Sequence, residues 1–203
     1  MDRLTAVDAS FLANESATSH MHIGAVAVFE GPPPSPDVLL DHISSRLHLV
    51  PRYRQKLAFP PVETGRPFWV DDPQFHLAYH VRHSALPPPG DEDALRRMAA
   101  RVFSQQLDRT KPMWELWLVE GLRKKRFALI SKTHHALIDG VAGVDLASVL
   151  FDIEPIPKSP PPPAEEWVPR PEPSGASLAA RGVQGAVTTP IDIGRRAVSA
   201  LAS

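Results

Sequence analysis

A run of prolines divides this chain and limits what can fold around it. Nine prolines lie between Pro155 and Pro173, four of them consecutive at 160–163. Proline lacks the backbone N–H that helices and sheets need, so this stretch is predicted to be a stiff, extended linker. The chain therefore divides into a folded region over residues 1–153, a Pro-rich linker over 154–174 and a tail over 175–203.

The composition narrows the classes of function. Hydrophobic residues make up 43% of the chain, enough to fill a core, and 22 Lys and Arg against 23 Asp and Glu leave a net charge of -1. That balance argues against nucleic acid as a partner. The chain has no Cys, which excludes a thiolate nucleophile and Cys-ligated metal sites.

The amino-terminal residues and the tail bear on location. The start, MDRLTAVDASFLANES, is acidic and polar where a secretory signal needs an apolar core, and no apolar run is long enough to span a bilayer. We therefore expect a cytoplasmic protein. The tail at 175–203 is weakly amphipathic and helical in pattern, so peripheral contact with a membrane or a lipid droplet is possible.

Apolar patterns predict alternating strands and helices before the linker. Strands are predicted at 22–30, in short segments within 57–83, and at 114–122 and 126–134; helices are predicted at 37–49, 91–106 and 141–151. The first strand has the composition of a core strand. The last two are joined by a short basic turn and are predicted to form a β-hairpin at the centre of a sheet. Ser35 or Asp37 is a candidate cap for the first helix.

The clearest chemical signal is the segment HHALIDG at 134–140, where an apolar strand gives way to an apolar helix. Successive side chains on a strand point to opposite faces, so one of His134 and His135 is predicted to be catalytic and the other structural. A neutral imidazole can take a proton from a hydroxyl near pH 7 and return it to a leaving group. Acyl transfer from a thioester to an alcohol requires both steps.

Simpler interpretations of the same residues stay open. The histidine pair can be packed or solvated, Asp139 can cap the following helix, and Gly140 can serve a tight turn. A metal site from His134, His135 and Asp139 lacks a further ligand nearby. Ser131 is a candidate nucleophile by proximity, although no Gly-x-Ser-x-Gly motif accompanies it.

The pattern HHxxxDG after a strand resembles the signature of the coenzyme A-dependent acyltransferase superfamily, which includes chloramphenicol acetyltransferase-like enzymes and peptide-synthetase condensation domains. Three further blocks resemble the bacterial wax ester synthase/diacylglycerol acyltransferase family: LTAVDASFL at 4–12, HMHIG at 20–24, and PMWE at 112–115. Met113 replaces the usual Leu of the last block. The resemblance covers about residues 1–153.

The resemblance implies an α/β fold: a chloramphenicol acetyltransferase-like sandwich subdomain with a mixed sheet and flanking helices, followed by the Pro-rich linker. It implies that His135 is the general base, that His134 supports the site, that Asp139 orients the loop through a salt bridge, and that Gly140 sets loop geometry. The implied reaction moves a long acyl chain from acyl-CoA, as co-substrate, to diacylglycerol or a fatty alcohol. No metal or bound cofactor is implied, and no acyl-enzyme forms.

Two groups of residues have competing interpretations. Pro112, Trp114 and Glu115 are candidate substrate-binding residues by resemblance, whereas large aromatics such as Trp114 more often pack in a core. His20 and His22 lie two residues apart on a predicted strand and share a face, so they can line a pocket or belong to the surface or core.

The resemblance also implies that a second half is missing. Members of the family carry an Asn-Asp motif in a second subdomain, and the only Asn here is Asn14. We therefore expect the amino-terminal half of such an enzyme, which needs a second-half polypeptide or self-association to complete its site. The alternatives are an inactive half-domain that binds acyl-CoA, and an enzyme of another branch of the superfamily that acts on a carrier-protein thioester.

Overall fold

The architecture follows from strands of alternating side-chain direction and helices with one apolar face. A computed structural model describes residues 1–61, 65–138 and 160–182. The elements, in order, are β1 (Asp2–Arg3), α1 (Ala6–Asn14), β2 (His22–Glu30), α2 (Pro36–Ser44), 3-10 turns at Leu47–Leu49 and Pro51–Arg54, β3 (Gln55–Ala58), β4 (Phe68–Asp71), α3 (Leu77–His80), β5 (Val81–Ala85), α4 (Glu92–Phe103), β6 (Trp114–Leu122), β7 (Arg126–His134) and a 3-10 turn at His135–Leu137.

The larger sheet is mixed, as the family resemblance implied. Its four strands lie in the order β2-β7-β6-β5, with β5 parallel to β6 and the other neighbours antiparallel. The predicted hairpin of β6 and β7 is confirmed at the centre of this sheet. Lys124 and Lys125 in its turn have φ values of 63° and 53°, so the tight connection places two side-chain-bearing residues in the left-handed region.

Among the residues that the structure describes, strand β2 lies at the edge of the larger sheet, so its prediction as a core strand was wrong. Ile23, Val26 and Val28 are 38%, 41% and 46% exposed. Apolar composition favours a strand but does not decide which strands flank it. Among the described residues, β2 pairs with β7 alone.

The two faces of the sheet pack against different helices. Leu116 and Leu118 of β6 join a core cluster with Leu12 of α1 and Ile43 of α2. Val119, the next residue of β6, joins a second cluster formed with α4. The alternation of side chains along β6 thus places helices on both faces and gives the expected α/β layers.

The helices predicted at 37–49 and 91–106 are confirmed, and each begins within one residue of its predicted start. Ser35 caps α2 and Asp91 caps α4, each by accepting a backbone N–H. Helix α2 ends at Ser44 instead of continuing to residue 49, because the chain tightens into a 3-10 turn before Pro51, and a residue preceding proline avoids the helical region. The helix predicted at 141–151 lies outside the described residues.

One segment predicted as a strand begins as a helical turn. Residues 77–80 form α3, and only Val81–Ala85 continue as strand β5. The turn brings His80 inward, where its ring stacks on Trp114 at 4.7 Å and its Nδ1 lies 2.9 Å from the Trp114 carbonyl. This long-range contact outweighs the local strand pattern.

Residues 160–182 pack on a smaller sheet of order β1-β4-β3. Residues 160–174 form no helix or strand, and residues 175–182 are helical. Arg170 bonds to Asp71 with Nε–Oδ2 at 3.0 Å, and the Arg54 guanidinium lies 4.5 Å from the Trp167 ring centre. Leu178 is buried with Phe68 and Val70. The described part of the Pro-rich segment therefore lies against the folded region.

Candidate active site

The histidine pair lies where β7 ends. His134 is directly opposite His22 of β2, and its N–H bonds to the Met113 carbonyl at 3.0 Å. The N–H of His135 bonds to the Met21 carbonyl at 2.8 Å. The backbone of both histidines is thus held by neighbouring strands, which fixes where each side chain begins.

The two side chains have different surroundings. His134 is 1% exposed, and its Nδ1 accepts the Ala136 N–H at 3.0 Å, which caps the 3-10 turn. His135 is half-buried and stacks on Phe11 of α1, with ring centres 4.6 Å apart. The described residues offer no hydrogen bond to the His135 ring. The strand therefore presents one buried and one accessible imidazole.

A buried carboxylate that the sequence analysis did not single out lies beside the pair. The Glu15 side chain is 1% exposed, with Oε1 3.4 Å from His22 Nε2 and Oε2 3.6 Å from His134 Nε2. Arg109 donates to it, with Nε–Oε2 at 2.8 Å. Glu15 lies three residues after the LTAVDASFL block, but nothing local marks it, because its partners Arg109 and His134 lie far along the chain.

Burial and charge set the protonation of this cluster. Burial lowers the pKa of His22 to about 4, with the Lys132 charge acting in the same direction and Glu15 opposing it. Burial likewise lowers the pKa of His134 to about 4, against the attraction of Glu15. Burial raises the pKa of Glu15, but hydrogen bonding and charge from Arg109 outweigh it and bring the pKa below its ordinary value. At neutral pH the cluster therefore holds two neutral imidazoles and one paired carboxylate.

The block at 112–115 is interior. Pro112 is buried, and Trp114 is fully buried with its Nε1 donating to the Tyr53 carbonyl at 2.8 Å. The surface of Trp114 is thus occupied by the fold's own contacts. These positions favour the packing alternative, and substrate contact by these residues stays a prediction.

Glu115 is the counterion of a buried lysine. Lys132 is 0% exposed, and its Nζ donates to the carbonyls of Val102 and Gln105 at 2.9 and 2.8 Å and lies 3.7 Å from Glu115 Oε2. A cation at the carboxyl end of a helix, here α4, is stabilised by the helix dipole. Glu115 therefore helps to attach α4 to the sheet.

The remaining candidates are placed as follows. Asp139 and Gly140 lie outside the described residues. Ser131 lies three residues before His134 on β7, so their side chains point to opposite faces, which argues against a Ser-His pair. His20 and His22 do share a face, with ring centres 5.2 Å apart, and His20 Nε2 lies 3.0 Å from the Ser104 carbonyl.

The described part of the chain contains neither a metal-binding cluster nor a membrane-spanning helix. No group of three or more His, Cys, Asp or Glu residues there has an arrangement that could hold a metal ion. No helix there combines the length and the apolar character needed to cross a membrane.

Comparison with known proteins identifies a family profile and relatives that are acyltransferases by name. Residues 4–203 match the profile of the wax ester synthase/diacylglycerol acyltransferase catalytic domain. The chain is 40% identical over 184 residues to the probable diacylglycerol O-acyltransferase tgs3 of Mycobacterium tuberculosis, covering 89% of this chain and 67% of that protein. It is 42% identical over 154 residues to the probable diacylglycerol O-acyltransferase tgs1 of the same organism, covering 75% of this chain and 33% of that protein.

Solved structures show the same fold. The wax ester synthase/diacylglycerol acyltransferase of Marinobacter aquaeolei VT8 superposes with a TM-score of 0.60 and 35% identity, over 70% of this chain and 35% of that one. The starter condensation domain of the rhizomide synthetase RzmA, at 18% identity and a TM-score of 0.54 over 72% of this chain and 35% of that one, shares the fold alone. This chain thus spans about a third of tgs1 and of both solved structures. On this evidence the chain belongs to the wax ester synthase/diacylglycerol acyltransferase family.

Proposed function

We propose that this chain supplies the part of an acyltransferase site that contains the catalytic histidine, and that His135 is the general base. One observation carries the proposal: the His135 ring is half-buried against Phe11 with its nitrogens uncommitted among the described residues, whereas His134 is buried with its nitrogens facing Ala136 and Glu15. A catalytic imidazole must reach a substrate proton, and of the pair His135 is the accessible one.

The chemistry is a direct transfer. A neutral nitrogen of His135 takes the proton of the acceptor hydroxyl while its oxygen attacks the thioester carbonyl. The C–S bond of the tetrahedral intermediate then breaks, and the imidazolium returns the proton to the departing coenzyme A thiolate. The products are an ester and free coenzyme A. The absence of Cys from the chain agrees with a route that forms no acyl-Cys intermediate.

The substrates are inferred from the relatives. Two mycobacterial relatives are named diacylglycerol O-acyltransferases and the Marinobacter protein is also a wax ester synthase. We infer that a long-chain acyl-CoA is the donor and that diacylglycerol or a fatty alcohol is the acceptor. Such acceptors reside in lipid, so the protein meets them at a membrane or lipid-droplet surface. The first part of the tail, 175–182, packs on the protein through Leu178, which leaves 183–203 as the candidate contact.

The neighbouring residues have supporting roles in this proposal. Asp139 and Gly140 keep the roles that the family pattern implies, namely orientation and geometry of the loop after His135. Pro112, Trp114 and Glu115 act through packing, which their buried positions support.

The experiment is acyl transfer from radiolabelled palmitoyl-CoA to a diacylglycerol and to hexadecanol, with the chain alone and with a separately expressed second half of a relative. The proposal predicts triacylglycerol or wax ester that disappears in His135→Ala. Binding of palmitoyl-CoA without product in both preparations would instead identify a half-domain that only binds. Product that persists in His135→Ala would overturn the role of His135.

A further inference from the structure

One face of α1 contacts both histidines of the pair. Phe11 stacks on the His135 ring, and Glu15, four residues later, faces the His134 ring. Residues four apart lie on the same side of a helix. Glu15 follows the last helical residue, but its N–H still bonds to the Phe11 carbonyl at 3.1 Å, so the helical spacing persists to this position. A shift of this helix would therefore move the contact with His135 and the contact with His134 together.

The orientation of the His134 ring depends on what lies at each nitrogen. Its Nδ1 accepts the Ala136 N–H, so Nδ1 carries no proton in the neutral ring. The proton is then on Nε2, which points toward Glu15 Oε2 at 3.6 Å. Within the described part of the chain, His134 Nε2 makes no hydrogen bond, and Glu15 at 3.6 Å is an electrostatic contact. The carboxylate attracts the Nε2 proton, while the Arg109 charge bonded to the same carboxylate opposes protonation of the ring.

Glu15 itself is held in place. Arg109 donates to its Oε2, and the same guanidinium donates to the Leu12 carbonyl at 3.0 Å, which ties the carboxylate to the end of α1. His22 lies at the second carboxylate oxygen. Oε1 makes no hydrogen bond among the described residues, so Arg109 holds the carboxylate through Oε2, the oxygen that faces the His134 ring.

We propose that Glu15 is a positioning residue for His135, acting through His134. The carboxylate sets the tilt of the His134 ring, the ring holds the Ala136 N–H, and this bond shapes the turn His135–Leu137 that presents the His135 imidazole. The proposal rests on the proposed role of His135 as base. It assigns Glu15 no contact with substrate.

The test compares Glu15→Gln and Glu15→Leu with Thr5→Ala. Gln retains an oxygen that can accept from His134 Nε2, whereas Leu retains only bulk. Thr5 caps the other end of the same helix, its hydroxyl oxygen accepting the Asp8 N–H at 3.1 Å, so Thr5→Ala weakens α1 without touching the histidines. Long-range 1H–15N NMR of the imidazole rings reports the tautomer and order of both histidines at pH 7, whether or not the chain turns over.

The expected result is a single His134 signal set with Nε2 protonated in the wild type and in Thr5→Ala. Glu15→Leu should broaden or shift the ring signals of His134 and His135, with Glu15→Gln in between. In a preparation that turns over palmitoyl-CoA, kcat should fall about tenfold to a hundredfold in Glu15→Leu with KM nearly unchanged, and Gln should restore part of it.

Two results would overturn the proposal. Ring signals in Glu15→Leu that match those of Thr5→Ala would show that the carboxylate does not position the pair. A kcat loss that merely follows the loss of thermal stability in all three variants would show a structural role alone. Full turnover by His135→Ala, together with shifted rings in Glu15→Leu, would refute the base and not the contact, so the two failures are distinguishable.

Discussion

Lowering the pH from 7.5 to 5 should destabilise the protein through His22 and His134. Both imidazoles have a pKa of about 4 in the folded state, mainly because they are buried. In the unfolded chain the pKa of His is about 6.5. Between these values the unfolded state binds more protons than the folded state, so stability is full above the unfolded pKa and is lost as the pH falls toward the folded one.

The magnitude follows from the two pKa values. One histidine with this shift costs about 2 kcal/mol of stability between pH 7.5 and 5, and two cost up to about 4 kcal/mol. Their side chains are 5% and 1% exposed, so solvent screens the effect little. Glu15 adds nothing in this range, because its lowered pKa affects stability only below about 4.5.

The assay is urea unfolding followed by tryptophan fluorescence at half-unit pH steps, with His22→Gln as the comparison. Because Gln does not titrate, the pH dependence of this variant should be about half that of the wild type, whatever its absolute stability. Stability that is constant from pH 7.5 to 5, or an equal slope in His22→Gln, would refute the assignment of buried neutral imidazoles.

Two further substitutions test the packing around α4. Lys132→Met should lower the free energy of unfolding by about 3–5 kcal/mol. It removes a buried cation that bonds to two carbonyls at the carboxyl end of α4. The control is Lys124→Met in the exposed turn, which should change stability by less than about 0.5 kcal/mol. Gly24→Ala should cost about 1–3 kcal/mol, because a Cβ there would lie 2.5 Å from the Phe103 ring, and Phe103→Leu in the same chain should recover part of the loss. Urea unfolding measures both, and a Gly24→Ala variant as stable as the wild type would contradict the close packing.

Local patterns were sufficient for elements whose stabilising contacts are near in sequence. The hairpin of β6 and β7 combines two apolar runs with a short polar turn, and α4 combines an Asp91 cap with an apolar face. Each signal lies within about one element's length. The mixed sheet and the α/β class were implied by the resemblance of the HHxxxDG motif and its companion blocks to a known family.

The wrong predictions concern β2 and α3, whose place or form in the fold depends on contacts with residues distant in sequence. Strand β2 and a central strand can have the same apolar composition, and only pairing with other strands distinguishes them. The turn at α3 forms because His80 bonds to the Trp114 carbonyl, 34 residues away. Neither fact has a local signature.

The site was predictable in part for the same reason. Alternation along a strand predicted that His134 and His135 differ in their surroundings, and the structure buries the His134 ring and leaves the His135 ring half-buried against Phe11. Glu15 could not be found this way, because its partner Arg109 is 94 residues distant. A single buried carboxylate becomes recognisable only when the fold assembles its counterions.

The role of His135 is tested most directly by the rate of acyl transfer from palmitoyl-CoA in His135→Ala relative to His76→Ala. Both variants are measured in whichever preparation is active, the chain alone or the chain with the second half of a relative. His76 is exposed and lies before α3, so its substitution controls for loss of a histidine as such. A general base contributes about 10²–10⁴-fold, so kcat should fall by that factor in His135→Ala while the Kd for palmitoyl-CoA stays the same. Equal kcat values in the two variants would contradict the assignment of His135 as the base.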